Sequence, residues 1–340
     1  MMNRQNKNTL AFVLMLFFLL LTLSLVFIWF FLKTEPLPVF FEKDIREVVL
    51  YSSMQENQLD LIKREFEGTF PDIRLTYFQA GSGKIFTKIS AEMQSDGFEA
   101  DLLWIADPHP YDSLIENNMI EPYESFYSKD IPMQFSDPRN YLTPTRLLIM
   151  VFAYNTHYFE KQSIPQTWVD LPGFKGLIFS DPVSSGSSLT SMKMLVDNPE
   201  FGWTYLEKLK EGGAQLCSGS GATAYQVGIG KSMLAIIPDN VALMAKMLGQ
   251  SIEFIYPQDI TIAWASPIAL LAKGKHKEEA KIFIDFMLSD EGQRILYRAG
   301  VSPIRGPLAP KIPIHALVAQ DYDMPKKEFF MHFDNIFLAK

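Results

Sequence analysis

From Thr9 to Leu32 the chain reads TLAFVLMLFFLLLTLSLVFIWFFL, 24 residues with no charge and no proline. As a helix rising 1.5 Å per residue it is about 36 Å long, enough to cross a hydrocarbon core of roughly 30 Å. A secretory signal usually carries an apolar stretch of only about 7–15 residues before a small-x-small cleavage site. This run is longer and ends in WFFLKTEPLP, without Ala-x-Ala. A lipoprotein cysteine is also missing, because the single cysteine, Cys217, lies far downstream. The run is therefore expected to be an uncleaved transmembrane anchor over 9–32, with an atypical cleaved signal as the competing reading. Arg4, Lys7 and the amino terminus precede it, and Lys33 and Glu35 follow. That bias puts a short tail (1–8) in the cytoplasm and the bulk of the chain outside the cell or in the periplasm. The stretch 33–46, with Pro36 and Pro38, is expected to be a tether.

The remainder is long enough for two lobes or domains, and at 48% apolar and 21% charged it is no disordered tail. A net charge of −8 argues against a nucleic-acid coat, which needs a basic field. One cysteine excludes an intrachain disulfide framework and a Cys-rich zinc site.

From Glu47 onward, short apolar runs alternate with amphipathic ones, the pattern of a parallel α/β sheet. Strands are expected at 47–53, 73–79, 100–107, 147–155, 176–182, 232–240 and 262–272. Helices are expected around Leu59–Phe66, Phe86–Met93, 188–197, 202–211 and 241–248, with a helical pair over 276–300.

Catalytic signatures fail one by one. Gly81–Lys84 and Gly228–Ser232 look like phosphate loops. The glycine required before Gly230-Lys231-Ser232 is Tyr225, and Gly83-Lys84 is followed by Ile85. A nucleophile elbow at Ser220 would need glycines at 218 and 222, which hold Ser and Ala. The five histidines are scattered, with no pair four residues apart. No enzyme, cofactor or metal is expected.

Anion binding has a better basis. In SDPVSSGSSLTSM, Ser184, Ser185, Gly186, Ser187 and Ser188 lead from a strand into a helix. The first N–H groups of a helix lack intrahelical partners and the macrodipole favours negative charge there. Glycine lets backbone donors approach an oxyanion and serines add hydroxyl donors. An ordinary N-cap needs one serine, not four. Similar endings recur at Ser52-Ser53, Gly81-Ser82-Gly83 and Ser220. Asp107 and Asn240 with Asp239 close further strands. Ligands in open α/β sheets sit at such strand ends.

These pieces in this order (VVLYSS, AGSGKIFTKISAEM, EADLLWIADP, LLIMVFAYNT, SDPVSSGSS, IDFMLSDEGQRIL, GVSPIRG) resemble the bacterial extracellular solute-binding family with the type 2 periplasmic-binding fold. They are most similar to its ferric, phosphonate and phosphosugar binders. The resemblance implies two α/β lobes, 47–150 with 265–315 and 151–264, joined by crossing strands over a ligand cleft that closes by a hinge. It leaves 316–340 as a C-terminal segment of unassigned role. Ferric binders carry a Tyr-Tyr pair where this chain has Asn240-Val241, and a histidine where it has only Gln55 and Glu56, so iron is disfavoured. The implied ligand is a small anion, an organic phosphate or phosphonate such as a sugar phosphate. The implied partner is an ABC permease or, alternatively, a sensor histidine kinase in the membrane.

Overall fold

The structure, a computed structural model, describes residues 4–33, 45–94, 98–159, 164–311, 317–318 and 325–338, with side chains for 12–29 in the first of these stretches. It divides into two compact units, Met1–Asp44 and Ile45–Lys340.

In the first unit, α1 (Arg4–Lys33) is one unbroken helix. Every described side chain from Phe12 to Trp29 is exposed. Its hydroxyls bond back to their own helix, Thr22 to the Phe18 carbonyl at 3.0 Å and Ser24 to that of Leu21 at 2.8 Å. Both hydroxyl donors are thereby used within the helix, which would lower their cost in an apolar surround. A helix of this length and composition suits a membrane anchor or a signal sequence. Most of the expected tether falls outside the described residues.

The second unit alternates strands and helices. It opens β1 (Arg46–Ser52), α2 (Glu56–Thr69), β2 (Ile73–Gln79), α3 (Ser82–Met93), β3 (Leu102–Trp104), α4 (His109–Glu116), β4 (Ile120–Glu121) and β5 (Thr143–Asn155). It continues β6 (Leu177–Ser180), α5 (Gly186–Asp197), α6 (Gly202–Glu211), β7 (Gln215–Cys217), α7 (Ser220–Gly228), β8 (Leu234–Pro238), α8 (Asp239–Met247), β9 (Ile252–Ile255) and β10 (Ile262–Leu271). It closes α9 (Lys277–Leu288), α10 (Asp290–Arg298), β11 (Ser302–Pro303), β12 (Leu317–Val318) and α11 (Lys326–Phe337).

The sheet order is β2-β1-β3-β10-β5-β8-β6-β7. β1 pairs in parallel with β2 and β3, and β6 with β7 and β8, as βαβ connections require. β5 is the crossing strand. Its first half, up to Ile149, pairs antiparallel with β10; its second half, from Met150, pairs antiparallel with β8. All thirteen of its residues are buried, which explains the near-continuous apolar run. The result is a two-lobed α/β fold whose lobes share β5.

Two strands are shorter than the apolar pattern suggests. β3 covers three residues, not 100–107, and β8 stops at Pro238. Asp239 and Asn240 open α8 instead of closing a strand: Pro238 has no N–H to continue the ladder, and Asp239 puts a carboxylate in the first turn of the helix, where the dipole favours it. The C-terminal segment holds α11, whose Phe329, Phe333 and Phe337 fall on one helical stripe and join the core that contains Phe179 and Leu206.

Candidate functional site: the interlobe cleft

Four helices begin on one cleft of about 1060 Å³. Its lining includes Ser82 from α3, Gly186 and Ser187 from α5, Ser220 and Gly221 from α7, and Asn240 from α8. Each start turns the positive end of its helix dipole toward the cavity, which makes it electropositive, although at α8 the Asn240 N–H is already taken by Asp239 Oδ1.

Within it, the hydroxyls of Ser185, Ser187 and Ser220 form a triangle with sides of 3.1, 3.1 and 3.2 Å. Ser180 and Thr223 extend the chain of hydroxyls from behind, with Ser180 Oγ 3.3 Å from Ser220 and 3.0 Å from Thr223. Ser185 also caps α5, its Oγ accepting from the Ser188 N–H at 3.4 Å. Hydroxyls can rotate, so the triangle can turn its donors to an anion.

The walls touch along one seam. A Cβ built on Gly81 would lie 2.6 Å from the Ser184 carbonyl oxygen, and one on Gly186 would lie 2.5 Å from Ser82 Oγ and 2.6 Å from Asp107 Cβ. Both positions are tight for a side chain, Gly81 against the Ser184 backbone and Gly186 against the side chains of Ser82 and Asp107.

Three buried polar atoms of the cleft lining have no hydrogen-bond partner among the described residues: Ser82 Oγ, Asn240 Oδ1 and Arg146 Nε. Arg146 matters most. Its side chain belongs to β5, is 1% exposed, and forms neither an ion pair nor a hydrogen bond among the described residues. Its guanidinium lies 5.3 Å from the Trp104 ring centroid. Burial pulls its pKa down to about 10, with Tyr111 and Asp239 opposing, so it stays cationic at neutral pH. Lys84 and Lys326 also line the cavity, and no carboxylate, imidazole, phenol or thiol does so among the described residues.

Of the fourteen residues singled out in the sequence, ten line this cleft: Ser53, Gly81, Ser82, Gly83, Ser184, Ser185, Gly186, Ser187, Ser220 and Asn240. The other four are turned to structural work. Ser52 is buried in β1 and donates to the Trp104 carbonyl at 2.9 Å. Ser188 donates to the Ser180 carbonyl, tying α5 to β6. Asp107 Oδ1 accepts from the His109 N–H at 3.1 Å and meets His109 Nδ1 at 2.7 Å. Asp239 accepts from Ser302 Oγ and the Asn240 N–H, both at 2.8 Å, and burial pushes its carboxyl up to about 6. Trp104 is fully buried among Leu50, Phe283 and Ile268. Sequence reasoning missed Arg146, Lys84 and Lys326. The available signal for Arg146 was a lone charge inside an apolar strand, one residue before the expected start at 147.

The model of the family described as bacterial extracellular solute-binding protein matches residues 99–334, more than half of the chain. A relative in Haemophilus influenzae, itself uncharacterized, is 24% identical over 267 residues, covering 75% of this chain and 76% of its own. The phosphoglycerate transport regulatory protein PgtC of Salmonella typhimurium is 28% identical over 153 residues, 43% of this chain but only 37% of its own length. Among solved structures, the periplasmic binding protein AfuA from Actinobacillus pleuropneumoniae, with fructose 6-phosphate bound, superposes with a TM-score of 0.71 at 23% identity. The match covers 85% of this chain and 97% of that one. With its crossing strand, shared cleft and family match, this chain belongs to the bacterial extracellular solute-binding protein family.

Proposed function

We propose that this solute-binding protein captures a small organic phosphate or phosphonate, such as a sugar phosphate, in the interlobe cleft and presents it to an ABC importer in the membrane. The observation that carries the reading is Arg146, a buried guanidinium at the cleft that forms no ion pair with a carboxylate among the described residues. An isolated buried charge is costly, and a bound anion offsets that cost. The serine triangle and four helix starts supply further donors of the kind that hold phosphate oxygens. Two relatives point the same way, one carrying fructose 6-phosphate and one named for phosphoglycerate transport. Ferric iron wants hard anionic oxygen ligands, and the described cleft lining offers only serine, threonine and amide oxygens beside three cations.

Thermal unfolding with glucose 6-phosphate, glycerol 3-phosphate, 2-aminoethylphosphonate, inorganic phosphate and ferric citrate side by side tests this. A ligand at a hundred times its dissociation constant stabilises the fold by about 2.7 kcal/mol. That corresponds to a midpoint shift of several degrees, at roughly 2–4 °C per kcal/mol. A shift with a phosphate ester is expected; a shift with ferric citrate alone overturns the reading.

One observation favours a second reading, that the protein is the ligand-sensing partner of a histidine kinase. PgtC is named as a regulator, and a fixed helix such as α1 suits a partner that must stay beside its receiver. Crosslinking in membranes that traps a permease supports import, and a trapped kinase supports sensing.

A further inference from the structure

The C-terminal helix α11 is docked on the second lobe by its phenylalanine stripe. Phe337 lies 5.3 Å from Phe179, and Phe329 lies 5.4 Å from Trp203, ring centroid to centroid. Lys210 Nζ donates to the Phe337 carbonyl at 3.0 Å. The neighbouring stripe, Lys326 and Phe330, lines the cleft. From there the Lys326 ammonium reaches the first lobe: it lies 3.6 Å from Asp107 Oδ2 and 5.8 Å from the ring centroid of Phe86 on α3.

Asp107 is a firm anchorage for that reach. Its side chain is 2% exposed, against 37% for Lys326. Its other oxygen fixes His109, whose Nε2 meets Lys193 Nζ of α5 at 2.6 Å. One buried first-lobe carboxylate thus faces two second-lobe cations, Lys326 directly and Lys193 through the imidazole. The contact lies beside the seam where a Cβ on Gly186 would collide with Asp107 Cβ.

We propose that α11 is a strap across the cleft, with Lys326 as the positioning residue that grips Asp107 and holds the lobes together around the ligand. A strap that favours the closed arrangement raises apparent affinity by the fraction of molecules it keeps closed. Because the grip is a partly exposed pair, its removal costs little overall stability. Its effect on ligand retention rests on the anion-binding reading above; its effect on lobe separation does not.

The test uses the full chain in detergent. Spin labels at Glu116→Cys on α4 and Glu207→Cys on α6, with Cys217→Ser, report the distance between lobes, and calorimetry reports glucose 6-phosphate affinity. Lys326→Gln is expected to shift the distance distribution outward without added ligand and to weaken glucose 6-phosphate about two- to fivefold. Lys326→Arg is expected to restore both. Distances identical to wild type in Lys326→Gln overturn the strap, as does unchanged affinity where wild type binds. A wild type that binds no phosphate probe overturns the anion reading alone, and the distance distribution then decides the strap. A Lys326→Gln change that Lys326→Arg fails to reverse also overturns it, since the charge would then not be the cause.

Discussion

Arg146 is the sole charged side chain in the thirteen residues of β5. Its desolvation costs several kcal/mol, while its stacking near Trp104 returns only about 0.5–2 kcal/mol. The protein therefore carries a destabilising charge at its cleft, which selection for stability alone would remove. Arg146→Met is expected to leave the melting temperature unchanged or raise it, and to abolish the ligand-induced shift. A variant that unfolds several degrees earlier yet still responds to phosphate ester would make Arg146 a structural residue. Asp239 is the opposite case, a buried acid held by hydrogen bonds that ties α8 to β11. Burial raises its pKa from 3.8 to about 6, against the pull of Ser302, Asn240, Ile149 and Tyr256. The folded chain thus holds this proton more tightly than the unfolded chain. The contribution to stability is full below the unfolded value of 3.8 and is lost as pH rises through about 6. Urea unfolding at pH 4, 5, 6 and 7 should show wild type losing about 1–3 kcal/mol relative to Asp239→Asn across that window. Parallel curves for the two proteins would contradict the assignment.

At the scale of elements, the start of α5 divides its serines between two tasks. Ser185 and Ser187 face the cleft with Ser220, whereas Ser188 faces the Ser180 carbonyl. Ser185→Ala with Ser187→Ala should weaken phosphate-ester binding, since a hydrogen bond to a charged group is worth about 1.5–3 kcal/mol. The same pair also loses the α5 cap, at about 1 kcal/mol of stability. Ser188→Ala should lower stability and spare affinity; calorimetry of the two variants separates them, and equal affinity losses would sink the division. This helix start was legible in the sequence because serine and glycine before an amphipathic run have a local physical reason to be there. Most of the longer strands and helices were legible too, from periodicity and from residues such as those of β5, whereas the short α4, β7 and β9 were not anticipated. What was not legible is direction. Asp107 and Asp239 end apolar runs just as cleft residues do, and only the packed fold turns them toward His109 and Ser302. Arg146 was hidden because an apolar run is counted from its first apolar residue. For α11, the stripe Phe329, Phe333 and Phe337 marks a buried face without saying which lobe covers it.

For the molecule as a whole, the separation into two compact units carries its own consequence. The cleft, the crossing strand and the strap all lie within Ile45–Lys340, and α1 lies in Met1–Asp44. Binding chemistry and membrane attachment are therefore expected to be separable. A chain beginning at Ile45 should bind the phosphate probe that the full chain binds, with the same affinity by calorimetry. A several-fold difference would show that the N-terminal unit reaches the cleft. The apolar helix should in turn be what holds the protein at the membrane: Phe12–Trp29 exposes side chains that water would solvate poorly, and a hydrocarbon layer would remove that exposed apolar area. Intact-mass analysis of the membrane fraction is expected to find the helix still attached, with detergent but not high salt releasing the protein. A mature chain starting near residue 34 and free in the soluble fraction would make the helix a signal sequence and leave partner encounter to diffusion.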